Sequence, residues 1–270
     1  MPVQTPGYKS GFAAPTRNRN YAYPSLWRGC IGAWCPSLGE TGLVLKQHSG
    51  VGTDGTFNDM DEATAWVPSG GKTALEFDGV NDKVTTETNV LDGMGSVSLW
   101  LFSNSLSGAS AAVYTGGSPA STWSGNIGTT SGGVVRSYIS THTFNIINGA
   151  TITTNAWTHV CITWISGGEF AIYTDGIKGE SLTIGNAYYS SSGAYWFGSN
   201  SGAFGQGMGG WWNGRLDDMR IYNRALTALE VSLLARRRAI SYEPTLSRGY
   251  PVGAGPATNR RRRLICGANC

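Results

Sequence analysis

Trp157-Thr-His-Val-Cys-Ile-Thr-Trp-Ile165 and, five residues on, Phe170-Ala-Ile-Tyr-Thr-Asp175-Gly176 decide the fold. Residues 158–165 read as an apolar strand, with Cys161 in its core. Phe170 to Thr174 reads as a second strand. It ends at an Asp-Gly pair, which supplies the positive φ of a tight hairpin. Outward from this pair the chain repeats the pattern. Strands are predicted over Gly29–Cys35, from Thr73 to Gly79, from Lys83, over Ser96–Phe102, at Val113-Tyr114, and over Val134–Ser140 and Thr143–Ile147. Two more are predicted over Tyr195–Gly198 and Trp211–Tyr222. Many short strands at this spacing indicate a sandwich or barrel.

Composition agrees. Hydrophobic residues make up 40% of the 270-residue chain, enough for a core. Charged residues reach only 14%, and there are 39 glycines, against about 25% and about 7% in an average protein. That balance excludes helical bundles and coiled coils. Leu216, Met219 and Ile221 cannot share one face by strict alternation, so a bulge is expected near Asp217-Asp218. One helix is predicted from Thr227, where Thr227 and Glu230 have capping-box spacing ahead of Leu229, Leu233 and Leu234.

Charge is unevenly spread. Residues 1–35 hold Lys9, Arg17, Arg19, Arg28 and no acid. Residues 236–270 hold eight arginines, including Arg260, Arg261, Arg262 and Arg263, against Glu243 alone. Residues 36–235 hold 8 basic and 16 acidic residues. The chain reads as an extended arm (1–25), a body (26–238) and a basic arm (239–270). The arms are expected to reach the acidic body of a neighbouring copy in preference to nucleic acid. No signal-peptide-like run and no apolar stretch of membrane-spanning length is present, so neither secretion nor a membrane partner is expected. Cys30, Cys35, Cys161, Cys266 and Cys270 lack zinc or redox spacing and read as free thiols. His48, His142 and His159 show no metal spacing, and His159 reads as a structural donor.

Five pieces in order carry a resemblance: Ala74-Leu-Glu-Phe-Asp-Gly-Val-Asn-Asp-Lys-Val84, Val97-Ser-Leu-Trp100, Trp157–Trp164, Ile172-Tyr-Thr-Asp-Gly176, and Asn213–Leu226 with Thr227–Glu230. Together they resemble the laminin-G-like branch of the concanavalin A-like lectin/glucanase superfamily over residues 26–238. The resemblance implies an all-β, antiparallel two-sheet jelly-roll sandwich with one short C-terminal helix, extended at both ends by the arms. Trp157 and Trp164 would fill the gap between the sheets, and the helix would close one end. With its basic arms, the chain looks like a non-enzymatic structural protein of a bacteriophage virion. It would be a capsid decoration, cement or fibre component made in the host cytoplasm. Its partners would be other copies of itself and other virion proteins such as a major capsid protein. The alternative is a glycan-binding adhesion module taking host-surface glycans, and a glycoside hydrolase is more remote.

No catalytic residue is assigned. In Glu76-Phe-Asp78-Gly-Val-Asn81 an Asn stands where the glucanase branch needs its second Glu. No cofactor is called beyond calcium, with Asp78, Asn81, Asp82, Asp217 and Asp218 as candidate ligands. Against that, Asp78, Asn81 and Asp82 fit a turn stabilised by Asx bonds, and Asp217 would pair with Arg215 or Arg220. Trp211, Trp212, Tyr188 and Tyr189 are the candidate sugar platforms, with Trp123 and Trp196 as further aromatics in Gly/Ser-rich loops.

Overall fold

The computed structural model describes residues 23–87, 93–116, 124–140, 144–185, 194–199 and 210–242. Its first strands are β1 (Cys30–Trp34), β2 (Val44–Leu45), β3 (Gly55–Asn58), β4 (Trp66–Ser69) and β5 (Lys72–Asp78). A one-turn helix, α1 (Glu62–Ala65), precedes β4. Then come β6 (Lys83–Thr85), β7 (Met94–Ser103), β8 (Ser110–Gly116), β9 (Ser124–Thr129), β10 (Val134–Ser140) and β11 (Phe144–Thr151). The last are β12 (Trp157–Ile165), β13 (Glu169–Thr174), β14 (Ile177–Thr183), β15 (Ala194–Phe197) and β16 (Asn213–Tyr222), before helix α2 (Ala228–Leu234).

The strands form two antiparallel sheets. Sheet one runs β14-β13-β12-β7-β16-β5-β4, with β1 also on β16. Sheet two runs β11-β10-β9-β8-β15-β6-β3-β2. Side chains alternate along each strand, so Val97, Leu99 and Leu101 of β7 and Val160, Ile162 and Trp164 of β12 face sheet two. They meet Val113, Ile127, Val135, Ile139, Tyr195 and Phe197 from the facing strands. Glycine is required at position 214, where φ is +146° and a Cβ would lie 2.0 Å from the Phe102 carbonyl oxygen.

The expected bulge is present. Register shifts between Asp217 and Arg220, and Asp218 has φ +48°. Before the bulge β16 pairs with β5, and after it with β1. The shift lets Leu216, Met219 and Ile221 all reach the core.

The outer face of sheet one is covered by the chain itself. Leu26, Cys30, Ala33, Cys161, Ala171, Tyr173 and Tyr222 form a second cluster with Leu226, Val231, Leu234 and Ile240. Helix α2 therefore lies over a sheet face and does not close an end of the sandwich, because Val231 and Leu234 need an apolar surface to cover. The two tryptophans also differ. Trp164 is fully buried between the sheets, whereas Trp157 lies on the outer face against Phe102 and the Arg238 guanidinium. The start of the C-terminal segment belongs to the body: Ile240–Tyr242 forms a 3-10 turn, with Ile240 and Ser241 buried.

Helix α2 starts with the predicted capping box. Thr227 Oγ1 accepts from the Glu230 N–H, and Glu230 Oε2 accepts from the Thr227 N–H at 3.0 Å. Burial alone would raise the Glu230 pKa, but hydrogen bonds from Arg224 and Thr227 hold it down to about 2. Thr227→Ala is expected to lower stability by about 1 kcal/mol. Thermal unfolding measures it, and an unchanged midpoint would show that the cap contributes nothing.

Candidate functional site

The five acidic candidates separate into two places. Asp78 Oδ1 accepts from the N–H groups of Val80 and Asn81, and Asp82 Oδ2 accepts from the Asp78 N–H at 2.9 Å. These are the Asx bonds of a turn joining β5 to β6. Asp217 and Asp218 instead lie buried at the bulge. Asp217 accepts from the Ser37 backbone and hydroxyl, and pairs with Arg238 at 3.2 Å. Its partner is thus neither Arg215, which pairs with Glu76, nor Arg220, which pairs with Asp218. Asp218 also accepts from the Ala239 N–H at 2.9 Å. Both carboxylates therefore tie the covering segments to sheet one. Their oxygens are committed to these bonds, and no three His, Cys, Asp or Glu among the described residues are grouped to hold a metal ion. The donor set does not fit calcium.

Burial raises the Asp217 pKa to about 6, aided by the neighbouring Asp218 charge and opposed by Ser37 and Arg238. Ser98 Oγ and His159 Nε2 share a 2.9 Å hydrogen bond on the same face. Both side chains are buried and His159 Nδ1 has no hydrogen-bond partner among the described residues, so this is not an accessible nucleophile with its base. Burial lowers the His159 pKa to about 3, with the Arg220 charge adding to it. Cys30, Cys35 and Cys161 are free thiols whose pKa values are raised by burial.

Of the aromatic candidates, Trp212 is fully buried in the core and offers no face to a ligand. Its backbone N–H donates to the Gly198 carbonyl at 2.8 Å, which draws the residue into the fold. Trp211 is half-buried. Tyr188, Tyr189 and Trp123 lie outside the described residues, as do Arg17, Arg19 and Arg260, Arg261, Arg262 and Arg263.

A different set emerges on the outer face of sheet two. Ile127, Ile139, Tyr195 and Phe197 face the core, so Asn126, Tyr138 and Trp196 point the other way. Register aligns Ile146, Tyr138, Asn126, Tyr114, Trp196, Thr85 and Thr56 in one line across seven strands. The line descends from exposed Thr56, through half-buried Thr85 and Trp196, to buried Asn126 and Tyr138. Lys83 Nζ lies 5.3 Å from the Trp196 ring centroid. Asn58 Nδ2 donates to Thr85 Oγ1 at 3.1 Å. Asn126 is 2% exposed, and neither its amide oxygen nor its amide nitrogen has a hydrogen-bond partner among the described residues. A buried amide left unsatisfied costs about 1–3 kcal/mol and marks a place where a polar group is missing. Of this set, sequence reasoning found only Trp196. Asn126 lies in a Gly/Ser/Thr-rich stretch that hides β9, and only strand register joins it to Trp196.

Two antiparallel sheets with this strand arrangement and a short C-terminal helix define a lectin-type β-sandwich. Residues 78–232 match a laminin G family model described as the concanavalin A-like lectin/glucanases superfamily, and the chain belongs to that superfamily. A search of the curated proteins finds no match. Among solved structures, the chain is similar to domain 4 of AbnA, an extracellular arabinanase from Geobacillus stearothermophilus, solved with arabinotriose. The TM-score is 0.60 at 19% identity, covering 77% of this chain and 98% of that one. It is also similar to the binding domain of botulinum neurotoxin serotype D/C, with a TM-score of 0.57 at 16% identity over 78% of this chain and 52% of that one. A further structure of the botulinum neurotoxin DC binding domain, in complex with SialylT, gives 0.55 at 16% identity, again over 78% and 52%. These likenesses concern the fold.

Proposed function

We propose that the chain is a carbohydrate-binding module whose ligand lies along the outer face of sheet two. One observation carries the reading: the Asn126 amide, buried and without a partner among the described residues, shares a cross-strand line with Trp196. Sugar recognition needs an aromatic surface for the ring's C–H face and fixed polar groups for its hydroxyls. Trp196 supplies the first. Half-buried Asn58, Thr85 and Lys83 supply the second, and the Asn126 amide marks the buried end of the same line. Arabinotriose in one structural neighbour and SialylT in another support a glycan over other ligands.

The test is titration calorimetry of the full chain with arabinotriose and with a sialylated oligosaccharide, followed by a glycan array. Trp196→Ala is expected to weaken binding at least tenfold, about 1.4 kcal/mol, with the circular dichroism spectrum unchanged. Glycan binding that survives both Trp196→Ala and Asn126→Ala would remove this face from the proposal. The absence of any bound glycan would remove the function.

The charge pattern favours a second reading, a structural component of a multi-copy particle such as a phage virion. In that reading the basic arms lock copies together and the sandwich is displayed.

A further inference from the structure

Charge divides the two sheets. The strands of sheet one hold Glu76, Asp78, Glu169, Glu180, Asp217 and Asp218. The described strands of sheet two hold no carboxylate, and their charged residues are Lys83 and Arg136. Asp59 and Asp82 sit just beyond the ends of β3 and β6. Residues 36–235 hold 16 acidic and 8 basic residues, so a sheet whose strands carry cations alone departs from the body around it. Both cations stand on the outer face, because their neighbours Val84 and Val135 fill the core. Arg136 comes two residues before Tyr138, and Lys83 two before Thr85. The antiparallel pairings from β10 through β9, β8 and β15 to β6 make β10 and β6 run in the same direction. Arg136 and Lys83 therefore lie on the same side of the Asn126–Trp196 line, about 19 Å apart across four strand spacings.

Arg136 is also aimed. Its Nε donates to Asn148 Oδ1 at 2.9 Å. Asn148 turns that oxygen to Arg136 because its amide nitrogen is taken: Nδ2 donates to Glu180 Oε2 at 3.0 Å, and the Asn148 backbone N–H donates to the same oxygen at 2.8 Å. Glu180 reaches across from the edge strand of sheet one, so its charge is spent on fixing Asn148. Neither Arg136 nor Lys83 has an ion-pair partner among the described residues. A guanidinium held through Nε keeps its terminal nitrogens as a planar fork, which a carboxylate fills with two parallel hydrogen bonds.

We propose that the glycan bound on this face is acidic, and that Arg136 receives its sugar carboxylate while Trp196 and Lys83 hold the chain further along. The inference rests on the sugar-binding reading and narrows it to oligosaccharides that contain a uronic or a sialic acid. Asn148 and Glu180 are positioning residues, acting on the ligand through Arg136. The spacing of the two cations suits an oligosaccharide and is too long for a single sugar ring. The absence of strand carboxylates from this sheet leaves the ligand's charge unopposed there.

The experiment is titration calorimetry of the full chain with sialyllactose and with trigalacturonic acid, each beside its methyl ester, which removes the charge and keeps the rings. Arabinotriose is the neutral reference. One of the acids is expected to bind at least tenfold tighter than its ester, and which one does so separates a sialic from a uronic ligand. Arg136→Gln should bring that acid and its ester to the same affinity, whereas Trp196→Ala should weaken both alike. Arg136 is half-buried, so melting temperatures should match wild type and confirm folding. Glu180→Ala should shrink the preference for the acid although it deletes a negative charge, because Asn148 loses its anchor; a larger preference would strike the relay. Acid and ester bound equally by wild type, a comparison that needs no variant, would overturn the inference and leave sugar binding standing. Arabinotriose bound to the exclusion of both acids would do the same. A preference that Arg136→Gln retains would also overturn it, since the attraction would then come from the protein's charge at large. No binding of any of these glycans would remove the sugar-binding reading itself, and this inference with it.

Discussion

Arg220→Ala is expected to lower the unfolding free energy by about 3–5 kcal/mol. Arg220 is fully buried, and its Nε donates to Asp218 Oδ1 at 2.7 Å. Its guanidinium lies 5.0 Å from the Trp27 ring centroid and 4.9 Å from that of Tyr242. Truncation strands the Asp218 carboxylate in a dry site and opens a hole between two rings. The cost comes mainly from the abandoned charge. Arg220→Met combined with Asp218→Asn should therefore recover most of the loss, since a long apolar chain refills the space and no charge remains unpaired. Urea denaturation of the three proteins checks this. A loss below about 1 kcal/mol for Arg220→Ala would show that Asp218 is rehydrated and that the covering segment is looser than described.

The second large effect is a pH profile with opposing slopes. His159 resists protonation until about pH 3, while an unfolded histidine takes a proton near 6.5. The unfolded state binds the extra proton in that window, so this residue removes stability as pH falls from 6.5 towards 3. Asp217 has the opposite sign. Its folded pKa of about 6 exceeds its ordinary 3.8, so the folded state binds the extra proton and gains stability as pH falls from 6 to 3.8. Each slope is about 1.4 kcal/mol per pH unit. The two nearly cancel between pH 6 and 4. Below pH 4 His159 acts without that opposition, and Glu230 joins it by losing its Arg224 and Thr227 bonds as pH approaches 2. The protein is expected to hold nearly constant stability from pH 6 to 4 and then collapse steeply. His159→Gln should instead become more stable over pH 6 to 4, by about 3 kcal/mol. A His159→Gln profile that follows wild type would show that this buried imidazole does not govern acid unfolding.

Strands with an apolar face were legible, because a period of two survives in a single sequence. So was the bulge: the odd spacing of Leu216 and Met219 demanded an extra residue between them. Strand β14, Ile177–Thr183, was not, since it is an exposed edge strand with no buried face to impose alternation. The short strands β2, β3 and β4 are set by their partners rather than by their own pattern. Trp157 and Trp164 are seven residues apart, an odd number, so strict alternation already places them on opposite faces. The candidate site was harder. Asn126 and Trp196 are joined only through the pairing of β9, β8 and β15, and the Asp217–Arg238 pair needs the chain to fold back over sheet one. Pairings of that kind have no local signal.

The division of β16 between two partners also governs the order in which the molecule can be made. Tyr222 bonds the Leu26 carbonyl, 196 residues away in the chain. Apart from the bridge of Trp34 to Gln47, strand β1 therefore has no strand to pair with until β16 follows it, whereas β12 and β13 can form a hairpin as soon as Gly176 is out. Closing such distant contacts is slow. The nascent protein carries a largely unpaired apolar strand through most of its synthesis, the interval in which a growing chain is most exposed to aggregation and most in need of a chaperone.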